Sequence, residues 1–144
     1  MPISHISLAT GPARFAAMRD FYLAALAPLG YITYYESAGS MLGLRPAGGP
    51  PDFWLHAGNG EQPDFAIPEG GKVDDRPGRA HVAFEVQEQG LVDRWHEAAV
   101  KAGGICNGKP GRRPQFSETY YAAFVLDPLG NNIEAYYYAK KGWN

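Results

Sequence analysis

Residues 5–10 read HISLAT and residues 81–86 read HVAFEV, and these two stretches decide the predicted fold. Each begins with a histidine, and apolar residues then alternate with polar or small ones, as in a strand with one buried face. Each stretch is followed by an amphipathic helical pattern that ends at a glycine. The chain is therefore expected to contain the same strand–helix unit twice.

The first half of the chain predicts a β-α-β-β-β order. A strand over about 3–9 precedes a helical pattern that Pro12 introduces and that Leu29-Gly30 ends. The apolar face of this pattern is formed by Phe15, Met18, Phe21, Tyr22, Ala25 and Leu26. Glycines and prolines then separate three short extended segments, which lie at 31–36, 40–45 and 52–57.

The second half repeats this plan, with a strand over about 79–86, a helix over 89–102 and strands over 120–126 and 132–138. Residues 107–118 are rich in Gly, Pro and Arg and predict a long loop that holds, or replaces, one short strand. Such a repeat predicts an α+β fold in which two βαβββ modules form a curved mixed sheet around a central cleft.

The 144 residues are expected to form one domain, with modules at about 1–57 and 79–140 joined by a linker rich in Gly and Pro. The net charge of -2 gives no reason to expect nucleic acid or a membrane surface as a partner. No apolar run approaches the roughly 20 residues of a membrane span, and no secretion signal is recognised. Cys106 is the only cysteine, which excludes an intrachain disulfide, so we expect a cytoplasmic protein.

Two histidines and one carboxylate are the best indication of function. His5 and His81 begin equivalent strands, and Glu134 lies in a third such run, NNIEAYYY at 131–138. In each strand the more apolar face would take a helix, which leaves the opposite face to line the cleft. Imidazole and carboxylate suit Fe, Mn, Zn, Ni or Co, and three ligands leave positions open for a substrate. The pattern favours a divalent metal site over three ordinary hydrogen-bonded strand residues.

These stretches, together with FYLAALAPLGY (21–31) and above all DPLGNNIEAYY (127–137), resemble the vicinal oxygen chelate superfamily. That superfamily includes glyoxalase I, extradiol dioxygenases and bleomycin-resistance proteins. The resemblance covers the whole chain and is strongest to small glyoxalase-like proteins. It implies paired βαβββ modules around a metal, His5, His81 and Glu134 as the ligands, and a homodimer. The metal site then lies within one chain, or is shared so that His5 meets His81 and Glu134 of a second copy.

The chain departs from two members of that superfamily. Glyoxalase I has a Glu or Gln as a fourth ligand on the last strand of the first module, where this chain has Trp54. His56, two residues further on the same face, is a substitute ligand, an acid/base group or an exposed strand-end residue. Extradiol dioxygenases have a Tyr three residues before the Asp of D-P-x-G, where this chain has Phe124. Both named activities are therefore disfavoured.

Several other residues are expected to border the cleft. Tyr136 could donate a proton, and the aromatic rings of Trp54, Tyr120 and Phe124 would bind a small, partly apolar or aromatic molecule. Arg113 lies in the predicted loop and could close over an anionic substrate.

The sequence thus predicts a metal-dependent enzyme that acts on a small oxygen-bearing molecule by lyase, isomerase or dioxygenase chemistry. The metal would bind two neighbouring oxygens and stabilise an enolate- or catecholate-like anion. The alternative is a protein of the same fold that binds or sequesters a drug or another small molecule without turnover. The metal-ligand triad favours the enzyme.

Overall fold

The computed structural model describes residues 3–58 and 80–139. The predicted linker therefore lies almost wholly outside the described residues. The elements of the first module are β1 (Ile6–Ala9), α1 (Phe15–Leu26), β2 (Tyr31–Ser37), β3 (Met41–Pro46) and β4 (Phe53–His56). Those of the second are β5 (His81–Glu85), α2 (Gln89–Lys101), β6 (Ile105–Arg112), β7 (Tyr120–Leu126) and β8 (Asn132–Tyr138).

The first helix forms where the apolar spacing predicts it. A short 3₁₀ turn at Pro12–Arg14 leads into α1, because proline fits the first turn of a helix, where its missing N–H is not needed. All six residues of the predicted apolar face are buried. A second 3₁₀ turn at Ala27–Leu29 ends at Gly30, whose φ of 77° is left-handed and stops the helix.

The strands form two four-stranded mixed sheets of identical plan. Their orders are β1-β4-β3-β2 and β5-β8-β7-β6, and in each sheet the first pair is parallel while the other two pairs are antiparallel. The predicted α+β fold with two βαβββ modules is confirmed. The two sheets are not joined by strand pairing in the described residues.

Part of the segment predicted as a loop is a strand. β6 pairs antiparallel with β7, so the segment holds a strand, which is one of the two outcomes that the repeated plan predicted. The register shifts twice along β6, on either side of Gly108. β6 tolerates these irregularities and Pro110 because it is the edge strand and has a neighbour on one side only.

One hydrophobic core joins the two modules on the helix side of both sheets. α1 and α2 contact each other, and the rings of Phe53 and Phe84, one from each sheet, lie with their centroids 5.7 Å apart. The helices thereby cover one face of each sheet. The other faces carry His5, His81 and Glu134. In the described part of the chain, neither helix is long and apolar enough to cross a membrane.

A buried polar contact also links the modules. Tyr22 of α1 donates a hydrogen bond of 2.6 Å to Asp127, in the turn between β7 and β8. The Asp127 carboxylate also accepts hydrogen bonds from the backbone of Leu129 and from the backbone and side chain of Asn131. Burial raises the pKa of Asp127, and these hydrogen bonds oppose the rise. Burial, followed by the charge of Asp127, raises the pKa of Tyr22 well above its usual value.

Tyr22→Phe is expected to lower the free energy of unfolding at pH 7 by about 1–3 kcal/mol, because Asp127 stays buried with one donor fewer. It should also flatten the alkaline loss of stability. Above about pH 10 the unfolded chain releases the Tyr22 proton and the folded chain does not, so stability falls by up to about 1.4 kcal/mol per pH unit for this group. The measurement is urea unfolding between pH 7 and 11.

The matched control is Tyr34→Phe, which removes the hydroxyl of a tyrosine that is 55 % exposed. This variant should follow the unmodified protein at every pH. Equal alkaline slopes for Tyr22→Phe and the unmodified protein would contradict the assigned role of Tyr22.

Candidate functional site

The strand registers show which residues of the two modules are equivalent. Ser7 pairs with Trp54 in β1 and β4, and Ala83 pairs with Glu134 in β5 and β8. Trp54 therefore occupies in the first module the position that Glu134 occupies in the second. By the same register His56 is equivalent to Tyr136, which pairs with Glu85.

The second module brings two of the three predicted metal ligands together. Nε2 of His81 lies 2.9 Å from Oε2 of Glu134, whose side chain is 6 % exposed, whereas that of His81 is 50 % exposed. The hydroxyl of Tyr120 donates a hydrogen bond of 2.7 Å to the other carboxylate oxygen, Oε1. Glu134 is thus held from both sides, with one oxygen directed towards an exposed imidazole.

Two stacked tyrosines border this pair. The ring centroids of Tyr120 and Tyr136 lie 5.1 Å apart and the rings are almost parallel. Burial raises the pKa of Tyr120, as does its hydrogen bond to Glu134. Burial also raises the pKa of Tyr136, with smaller contributions from the charges of Glu85 and Glu134. Both hydroxyls therefore remain protonated donors at neutral pH.

A cavity of about 540 Å³ opens over these residues. This is a usual volume for a small-molecule site. Its lining is mainly aromatic and consists of His81, Phe116, Ser117, Tyr120, Phe124, Asn132, Glu134 and Tyr138.

Arg113, which the sequence predicts to bind an anionic substrate, lies beside this cavity and is hydrogen-bonded to the backbone of its own segment. Its guanidinium donates to the backbone carbonyls of Lys109 and Arg112, and Cζ lies 5.5 Å from the centre of the Phe124 ring. The Phe124 ring also stacks against His81 at 6.2 Å. Arg113 is therefore an anchored cation at the edge of the aromatic lining.

The uncovered face of the first module holds the third predicted ligand. His5 lies exposed just before β1, where its Nδ1 is 2.9 Å from the hydroxyl of Ser4. A cavity of about 210 Å³ is lined by His5, Ser7, Met41, Trp54, Leu55 and His56. His5 and His56 thus border the same small cavity, and Trp54 lies with them.

His5 does not join His81 and Glu134 within one chain. Over residues 3–58 and 80–139, no three His, Cys, Asp or Glu side chains come close enough to hold a metal ion together. His81 and Glu134 fit a metal as two ligands, because a buried carboxylate with its second oxygen hydrogen-bonded is oriented in advance. A third protein ligand would have to come from elsewhere.

Another cavity, of about 510 Å³, lies between the edges of β1 and β5. It is lined largely by apolar residues such as Phe53, Phe84 and Leu91, and His5 is the only predicted metal ligand or catalytic residue at its wall. The candidate site is therefore better described by the aromatic cavity and the His81–Glu134 pair.

The sequence predicts which sheet faces carry the candidate site, but several residues of those faces were not predicted. It did not identify Phe116, Ser117 or Tyr138 as lining residues, nor the hydrogen bond from Tyr120 to Glu134. It also overlooked Gly43, which lies beside Trp54 in β3. A glycine in the middle of a strand pattern often marks a close approach, and that signal was present in MLGLRP at 41–46.

Comparison with proteins of known structure identifies the fold. A glyoxalase/bleomycin resistance protein from Albidiferax ferrireducens T118 is 22% identical, with 94% of this chain and 98% of that chain covered and a TM-score of 0.64. A glyoxylase/bleomycin resistance protein/dioxygenase domain from Frankia sp. EAN1pec is 19% identical over 99% of this chain and 95% of that chain, with a TM-score of 0.67. A lactoylglutathione lyase from Agrobacterium tumefaciens is 19% identical over 94% of this chain and 92% of that chain, with a TM-score of 0.60.

No protein-family model matches the sequence, and no match is found among curated proteins. The structural likeness confirms the fold that the resemblance to the vicinal oxygen chelate superfamily implied. At these identities it carries over the fold, whereas the reaction has to be argued from the residues of this chain.

The Tyr120–Glu134 hydrogen bond yields a prediction for metal affinity. Tyr120→Phe keeps the ring but removes the donor, so the Glu134 carboxylate loses its fixed orientation. Zinc affinity, measured by competition with a chromogenic chelator, is expected to fall by about tenfold or more. The control is Tyr121→Phe, because the Tyr121 hydroxyl instead donates to Asp93 of α2 and its loss should leave zinc affinity unchanged. Equal zinc affinity in the two variants would contradict the role of Tyr120.

Proposed function

We propose that this protein is a divalent-metal-dependent enzyme that acts on a small oxygen-bearing molecule. In this proposal the metal is held by His81 and Glu134 of one chain and by His5 of a second copy. The observation that carries it is the preformed His81–Glu134 pair at the wall of an aromatic cavity. Lactoylglutathione lyase activity is what one structural neighbour is named for, and for this chain it is one possible reaction among several.

The donor set fits a metal, and the Glu134 carboxylate is oriented before a metal binds. A His–Glu contact alone would satisfy one oxygen of the carboxylate, but here Tyr120 holds the other oxygen as well. A neutral imidazole and a carboxylate are ligands for Zn, Fe, Mn, Ni or Co, and one further imidazole would leave positions for substrate. When bound, such a metal acts as a Lewis acid that polarises substrate oxygens.

The uncovered sheet faces support a homodimer. In the first module Tyr34 is 55% exposed, Tyr35 47% and Met41 39%. In the second module Phe116 is 67% exposed. Large apolar groups gathered on an open face favour burial against a partner. If the first module of one chain faces the second module of its partner, His5 and His56 meet the His81–Glu134 pair across one closed cleft.

Proton transfer is the chemistry for which the bordering residues are best suited. Tyr136 is a protonated donor on the same face as Glu134, and the His56 imidazole would accept or return a proton from the opposite wall. This places lyase or isomerase chemistry ahead of oxygenation, although two histidines and a carboxylate also suit non-haem iron oxygenases. Phe124 contributes apolar surface and has no hydroxyl to donate.

The aromatic lining of the cavity also suits a second function, the sequestration of a flat small molecule without turnover. The two functions differ in their dependence on the metal ligands. A sequestering protein should retain its ligand after His5→Ala or Glu134→Ala, whereas the enzyme should lose its metal in both variants.

A mixed dimer tests the shared site directly. Chains with His5→Ala and chains with Glu134→Ala are co-expressed with different cleavable tags, and dimers that carry both tags are purified. Shared sites leave one intact site in each mixed dimer, because the unaltered His5 of one chain meets the unaltered Glu134 of the other. We expect about two zinc ions per unmodified dimer, none in either variant alone and about one in the mixed dimer.

The matched control is a mixed dimer of two Glu134→Ala chains with different tags, which should bind no zinc. A mixed His5→Ala and Glu134→Ala dimer that also binds none would place each site within one chain and contradict the shared arrangement. An unmodified protein that binds no divalent ion at all would contradict the metal-dependent function.

A further inference from the structure

Trp54 is held against its own sheet by the absence of a side chain at Gly43. The two residues pair in β4 and β3, and a Cβ built on Gly43 would lie between 2.5 and 2.8 Å from three carbons of the indole ring. Real carbon atoms do not approach so closely, so the indole occupies the space that any other residue at position 43 would fill. Gly43 has no positive φ, and its backbone conformation does not itself require glycine.

Two tyrosines of β2 border the indole. The ring of Tyr34 meets it edge-on at 6.1 Å, and that of Tyr35 lies tilted at 6.3 Å. β2 has a register irregularity between residues 33 and 35, and both of these adjacent tyrosines contact Trp54. The indole is thus fixed from beneath by Gly43 and at its sides by two rings, all on the uncovered face of the first sheet.

Trp54 lies next to two candidate site residues, so its ring can contact a bound molecule. Trp54 lines the cavity of about 210 Å³ together with His5 and His56. An apolar cavity of roughly 150 Å³ already admits benzene, so this one has room for a single substituted ring. Trp95, by contrast, is a residue of α2 that is fully buried in the core.

We infer that Trp54 is a stacking platform for an aromatic ring of the substrate, and that Gly43 is the residue that makes the platform possible. The substrate class is then an aromatic molecule that carries two neighbouring oxygens, with the ring on Trp54 and the oxygens towards the metal ligands. This inference rests on the proposed function for the position of the oxygens. The stacking itself depends only on Trp54 and its neighbours.

Two hydroxamates separate stacking from metal binding. Benzohydroxamate and cyclohexanecarbohydroxamate present the same pair of oxygens to zinc and differ only in whether the six-membered ring is aromatic. Their affinities for the zinc-loaded protein are measured by titration calorimetry. Trp54→Leu removes the aromatic face but keeps apolar volume, and Gly43→Ala leaves Trp54 in the sequence but displaces its indole. Gly90→Ala, at a position where a Cβ meets only the end of the Arg94 side chain, is the matched glycine control.

The unmodified protein and Gly90→Ala are expected to bind benzohydroxamate about tenfold more tightly than the cyclohexane compound, the order of magnitude of one aromatic contact. In both Trp54→Leu and Gly43→Ala the ratio should fall to about one, while zinc stoichiometry stays unchanged. The affinity for the cyclohexane compound should change by less than about twofold. Because Gly43→Ala keeps every aromatic residue, a misfolded Trp54→Leu would not prevent the test.

A ratio near one in the unmodified protein, or a tenfold ratio that persists in Gly43→Ala, would overturn the platform. The stacking proposal would also be overturned if Trp54→Leu and Gly43→Ala both dissociated the dimer, because Trp54 would then be an interface residue. Failure of the proposed function gives a different result. Hydroxamates would bind equally well with and without zinc, yet the preference for the aromatic compound would still disappear in Trp54→Leu.

Discussion

Each helix packs against one face of its own sheet, and this packing determines which sheet faces are buried and which are left open. α1 and α2 also contact each other, so the apolar faces of both sheets share one core around Phe53 and Phe84. The opposite faces, which carry every candidate ligand, are left without a covering layer in the described part of the chain. A sheet whose second face holds buried carboxylate and large exposed rings is typical of a binding face rather than a solvated one.

The two modules repeat a backbone plan, but their uncovered faces have diverged. Where the second sheet has Glu134 beside Phe124, the first has Trp54 beside Gly43 at the equivalent positions. The first module thus has an aromatic ring where the second has the carboxylate, and it has no side chain where the second has the ring of Phe124. A duplicated fold would give two similar faces, whereas here one face carries the His81–Glu134 pair and the other carries Trp54 with His5 and His56. Pairing unlike modules of two chains would put both faces in one cleft.

The sequence was sufficient for the features that depend on local periodicity. The alternation in HISLAT and HVAFEV predicted the strand faces, and the helical face of Phe15 to Leu26 was confirmed. It was insufficient where the outcome depends on tertiary neighbours. The repeated plan left open whether residues 107–118 hold a strand or replace it, and β6 forms because an edge position tolerates Gly108 and Pro110. The separation of His5 from Glu134 within one chain depends on how the modules pack, which spacing along the chain does not determine.

The hydrogen bond between Tyr120 and Glu134 shows why matched spacing alone is an incomplete guide to a metal site. The Glu134 carboxylate is 5 % exposed and has lost most of its contact with water, so a hydrogen-bond partner on each oxygen is needed to satisfy and orient it. Tyr120 supplies that partner from β7, and its ring is in turn fixed by Tyr136. The same two rings line or border the aromatic cavity. The orientation of Glu134 and the shape of the cavity therefore depend on the same side chains, so a change at Tyr120 alters both.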